Sequence, residues 1–107
     1  MVNPDKITFP ITGKQLADLQ RAEVGRELRP AELEMFADIA NMANEAYEAA
    51  TRGDAETVQS ILNGINAAAA ADPSAYHLAA LCRGWVLLGC QKGAERLKAA
   101  IDGTIYN

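Results

Sequence analysis

The sequence predicts an all-α protein, a five-helix compact bundle of antiparallel helical hairpins behind an extended N-terminal arm. Three observations predict it. The polar positions Glu34, Asp38, Asn41, Glu45, Glu48 and Arg52 advance by four, three, four, three and four residues, the spacing of one solvent-facing helix stripe. Glycines and prolines stand between apolar-periodic segments, next to residues that cap helices. The β-branched, alternating runs that announce strands are absent. The chain has 107 residues, 50% of them hydrophobic and 22% charged, which fits one folded domain over residues 12–107 and an arm over residues 1–11.

In the arm, Pro4 and Pro10 flank Lys-Ile-Thr-Phe and favour extended backbone before them. Thr12-Gly-Lys-Gln15 fits a capping box and opens a helix expected to reach about Leu28, with Leu16, Leu19 and Val24 as apolar anchors. Arg29-Pro30 ends it, and Pro30 suits the first position of a second helix running to about Arg52. Opposite the polar stripe, Leu33, Phe36, Ile39, Met42, Ala43 and Tyr47 make an apolar face wide enough for two neighbours. Gly53 terminates that helix and Asp54 caps the third, Ala55 to Ala71, where Val58, Ile61, Leu62 and Ile65 recur at helical spacing. Asp72-Pro73 starts a fourth helix, expected to end near Gly89. Its residues are apolar almost all round, so it is either the centre of the bundle or keeps a face for another protein. Trp85 is expected in the core. Gly93 precedes a fifth helix with Ala94, Leu97 and Ile101, ended by Asp102-Gly103.

Composition removes several classes of function. Ten basic against 14 acidic residues leave a net charge of −4, which disfavours direct binding to nucleic acid or an anionic membrane. The N-terminus lacks the apolar segment of a secretory signal, and the low-charge run from Thr57 to Cys82 is interrupted by Asp72-Pro73, so a cytoplasmic location is expected. Cys82 and Cys90 lie eight positions apart on one helix, about 12 Å, too far for a disulfide. With His77 the only imidazole and no closely spaced cysteine pair, no metal or other cofactor is expected. His77 and Cys82 sit five residues apart on a helix and point away from each other, so they cannot act as a nucleophile and its base. The two serines, Ser60 and Ser74, lie in no nucleophile motif. The carboxylate pairs Glu34/Asp38 and Glu45/Glu48 fall on the solvent stripe, where nothing raises a pKa. The expectation is a protein that is not an enzyme.

Two stretches can be superposed at a spacing of 36 residues, with Gly53 on Gly89, Val58 on Ala94, Ile61 on Leu97 and Ile65 on Ile101. The second copy, with Leu81, Cys82, Trp85, Gly89 and Ala94, resembles a tetratricopeptide repeat. The first keeps Ala46, Gly53 and Leu62 but has Glu45 and Ala49 where that family carries a leucine and an aromatic. The resemblance spans residues 39–102. It implies a concave surface for a peptide or helix, lined by Ala40, Ala43, Tyr47, Ala50 and Thr51 from one hairpin and Tyr76, Ala79, Arg83, Val86 and Leu87 from the other. Tyrosine and arginine contribute strongly to interfaces, which makes Tyr47, Tyr76 and Arg83 the central candidates, with Val86 and Leu87 beside them. The alternative for both tyrosines is to close the core with their hydroxyls at its rim.

The expected function is stoichiometric protein–protein binding, of adaptor or chaperone type, with another protein as partner. Two alternatives accompany it. The acidic face of Glu34, Asp38, Glu45 and Glu48 is suited to imitating a nucleic-acid backbone, as small phage-encoded inhibitors of bacterial defence complexes and other nucleoprotein machines do. Alternatively, the surplus apolar surface is buried in a self-assembled homodimer.

Overall fold

The computed structural model describes residues 7–106, without the side chains of residues 23, 24 and 104–106. The first six residues of the expected arm and the side chain of the expected anchor Val24 therefore lie outside the described residues. The described residues form four α-helices: α1 (Gly13–Val24), α2 (Pro30–Thr51), α3 (Ala55–Ala71) and α4 (Tyr76–Tyr106), with a 3-10 turn at Pro73–Ala75. No strand occurs among the described residues. The all-helical class is as expected; the count of five helices is not.

Local chemistry sets the helix starts. Thr12 Oγ1 accepts from the Gln15 N–H at 3.1 Å while Gln15 Oε1 accepts from the Thr12 N–H at 2.8 Å, the reciprocal box that the sequence announces. Gly25, in the left-handed region at φ 76°, ends α1 by donating its N–H to the Arg21 carbonyl, so the helix stops short of Leu28. At α2, Glu32 accepts from the Arg29 N–H and from both terminal nitrogens of Arg26, and these bonds hold its carboxyl below the usual range. Gly53, at φ 70°, turns the chain after α2. Asp54 then caps α3, accepting from the Thr57 N–H at 3.1 Å and the Thr57 hydroxyl at 2.6 Å, which lowers its pKa. Asp72 accepts from the Ser74 N–H and hydroxyl and caps the 3-10 turn rather than the α-helix that follows.

Helix α2 is the centre of the molecule, packing against α1, α3 and α4. Its Phe36, Ile39, Ala40, Ala43, Ala46, Tyr47 and Ala49 are buried, and its polar stripe from Glu34 to Arg52 is exposed throughout. Leu33, expected on the apolar face, is 40% exposed. Helices α2 and α4 run parallel, because contacting positions advance together: Cys82 meets Met42, Gly89 meets Ala43, and Gly93 meets Tyr47 and Ala50. These glycines are the reason for the missing fifth helix. A Cβ on Gly89 would stand 2.5 Å from the Ala43 carbonyl oxygen, and one on Gly93 would strike the Tyr47 carbonyl. The two glycines admit close approach of α2 inside one continuous helix instead of breaking it. The second hairpin implied by the repeat is thus a single 31-residue helix, about 46 Å of the molecule's 49 Å length.

The described part of the arm, residues 7–11, belongs to the core. Ile7 and Ile11 are buried, Phe9 stacks on Tyr47 at 5.3 Å between ring centroids, and the Phe9–Pro10 peptide is cis. Asn44 fixes the arm to α2: its Oδ1 accepts from the Ile11 N–H at 2.7 Å and its Nδ2 donates to the Ile11 carbonyl at 2.6 Å. Trp85 is 7% exposed and joins the same buried cluster, as expected.

Candidate functional site

Only Ile65 of α3 is buried, and its last turns carry alanine from Ala67 to Ala71. Methyl groups are too short to fill the space to α2 and to the start of α4. An open cleft of about 510 Å³ remains between the three helices. Helix α2 contributes Met35, Asp38, Ile39, Met42 and Glu45; α3 contributes Ser60, Ile61, Gly64, Ile65, Ala68 and Ala69; Ala75, Leu78, Ala79 and Cys82 complete the lining. That volume and apolar character suit a binding site.

Charge lies at one edge. Asp38 and Glu45 are exposed on α2, seven residues apart, and neither pairs with a cation among the described residues. Glu34 and Glu48 extend the same row outside the cleft and are likewise without an ion pair among the described residues. Arg52, at the row's end, turns to Asp54 at 3.8 Å. A second hollow between α1 and α2 holds Lys14, Asp18 and Arg21, and there the Arg21 guanidinium is 2.9 Å from the Asp18 carboxylate.

The residues nominated from sequence separate into two groups. Tyr47 and Val86 are buried, and with them Ala40, Ala43 and Ala79, because the parallel contact of α2 with α4 fills the expected concave surface. Tyr47, Val86, Ala40 and Ala43 are core residues, and Ala79, buried as well, also lines the cleft. Tyr47 is covered by Phe9, and its hydroxyl accepts from Arg96 Nη1 at 2.9 Å, which fits the core-closing alternative. Tyr76, 57% exposed, does not close the core. Tyr76, Arg83 and Leu87, spaced by seven and four residues, share the outer stripe of α4, and Ile101 continues it with 51% exposure. Arg83 Nη1 donates to Asn66 Oδ1 at 3.1 Å. Of the acidic candidates, Asp38 and Glu45 border the cleft and Glu34 and Glu48 do not. Two residues outside the nominated set matter as well: Asn44, the arm's clamp, and Gly64, whose missing side chain deepens the cleft.

The chemistry-bearing side chains are dispersed. His77 is exposed beside Tyr76, whereas Cys82 is buried on the other side of α4, 3.8 Å from the Met42 sulfur. Burial pushes the thiols of Cys82 and Cys90 up, keeping both protonated and weakly nucleophilic, and both cysteines are free. No helix among the described residues is long and apolar enough to cross a membrane. Compared with protein families, curated proteins and solved structures, the chain matches none.

Proposed function

We propose that this chain is a non-enzymatic, cytoplasmic module of adaptor or chaperone type, acting by stoichiometric binding of another protein through the cleft between α2, α3 and α4. The observation that supports this reading is the apolar cleft itself, open to solvent between three helices and edged by two carboxylates without counter-charges among the described residues. Apolar surface of this kind on a small domain marks an interaction site. The test places a photo-crosslinking side chain at Leu78, 38% exposed on the cleft lip, in cells that encode the protein. A single adduct with one other polypeptide at equal stoichiometry is expected. Adducts formed only from Leu87, on the outer stripe of α4, would move the interface there, and an adduct of two copies would make the protein a homodimer.

The uncompensated acidic row supports a second reading, an inhibitor that occupies a basic nucleic-acid groove. The two readings differ in which carboxylates matter. Mimicry uses the whole row and makes Glu34→Lys and Glu48→Lys as damaging as Asp38→Lys and Glu45→Lys, with steep weakening in salt. Cleft binding confines the effect to Asp38 and Glu45.

A further inference from the structure

We infer that the occupant of the cleft is an amphipathic α-helix carrying basic residues along one edge of its apolar face. The inference rests on the protein-binding reading and adds the partner's chemistry to it.

The backbone of the partner is the first constraint. The cleft walls are helices, which away from their ends pair their own N–H and C=O groups internally, so they offer no sheet edge to an extended strand. A segment seated on such walls must satisfy its backbone internally, and a helix does so. The protein's own arm provides the contrast. Where this molecule holds extended chain, it uses the Asn44 amide to satisfy both the N–H and the C=O of Ile11. Among the described residues the cleft lining has no amide side chain; its polar members are Asp38, Glu45 and Ser60.

Shape and charge supply the remaining constraints. Small residues on the α3 side, Gly64 and Ala68 among them, let a helix axis come close, while Met35 and Met42 adapt to the side chains it brings. From Met35 to Glu45 the cleft follows about 15 Å of α2, room for roughly ten residues of a docked helix. Asp38 and Glu45 stand two turns apart, about 10 Å, on one edge of that path. A helix lying alongside α2 meets both with lysine or arginine at the same seven-residue spacing, and no cation of this chain competes among the described residues.

The test is selection from a displayed library of random peptides roughly 20 residues long, long enough for that helix and its flanks. It is run against the intact protein, the Gly64→Phe variant and the Asp38→Lys/Glu45→Lys variant, each checked for helical content. A Cβ at Gly64 meets no atom within 4 Å, so a side chain can start there without striking a neighbour. The phenyl ring is aimed at occluding the cleft, and the helical content checks that the fold is kept. The expected winners have apolar residues at i, i+3, i+4 and i+7 and basic residues seven apart, and become helical on binding. They bind Gly64→Phe at least about tenfold more weakly, and the charge-reversed variant selects acidic flanks in place of basic ones. Proline-rich or acidic-flanked winners, winners indifferent to Gly64→Phe, or no enrichment would each overturn the inference. Crosslinks from Leu78 to another protein would leave the protein-binding reading standing in those cases; their absence would remove both.

Discussion

At the scale of single residues, the glycines separate into two kinds that a sequence does not label. Gly89 and Gly93 lie where a methyl group would meet α2 backbone, whereas Gly64 and Gly84 face open space within their helices. Gly89→Ala should therefore cost about 1–3 kcal/mol, despite alanine's better helix propensity, because α4 must shift away from α2. Gly64→Ala should instead add about 0.5–1 kcal/mol by removing backbone freedom from the unfolded chain. Denaturant midpoints of the two variants give the signs directly. Asn44→Ala leaves the Ile11 N–H and C=O without their partner and should lower stability by about 1–3 kcal/mol, with earlier proteolysis in the arm. Truncating Trp85 to alanine removes a buried indole and should cost about 3–5 kcal/mol. The carboxyls of Glu32 and Asp54 define an acid limb. Hydrogen bonds lower both pKa values in the folded state, led by Arg26 for Glu32 and by Thr57 for Asp54. Their stabilisation is complete above the unfolded value, near ~4, and disappears as pH falls through the lower folded value. Asp54→Asn should flatten that limb in a series of melting temperatures against pH.

At the scale of helices, hydrogen exchange distinguishes one α4 from two helices joined by a turn. Amides from Gly89 to Gly93 should be as protected as those around Val86, whereas a turn would leave them fast. Helix α3 should exchange sooner than α2, since Ile65 is its one buried residue and little apolar burial holds it closed. The starts of α1 and α3 were legible because a cap is local: Thr12 with Gln15 and Asp54 with Thr57 lie three residues apart. The exposed stripe of α2 was legible because its period belongs to one helix. The continuity of α4 was not, because a glycine ending a helix and a glycine admitting a neighbour look alike over a short window. What distinguishes Gly89 is Ala43, 46 positions earlier in the chain.

At the scale of the whole molecule, the expected binding surface and the cleft differ for the same reason. The repeat placed Tyr47 and Val86 on a concave face, but the parallel packing of α2 on α4 consumed that face and left the vacancy on the α3 side. A cleft exists where side chains fail to meet, so no single segment announces it. The nearest signals were the alanine run ending α3 and the proximity of Asp38 and Glu45 to Met35 and Met42 on α2. Those methionines also give the most direct measurement of the central claim, that a partner polypeptide sits in this cleft. With methionine, leucine and isoleucine methyl groups labelled for NMR, resonances assigned by single substitution at Met35, Met42, Leu87 and Ile101 are followed as a peptide from the selection, or the crosslinked partner, is added. The account predicts that both methyl signals shift to saturation at one equivalent while the Leu87 and Ile101 methyl signals on the outer stripe of α4 stay in place. Saturable binding that moves Leu87 and Ile101 and leaves Met35 and Met42 unchanged would contradict it.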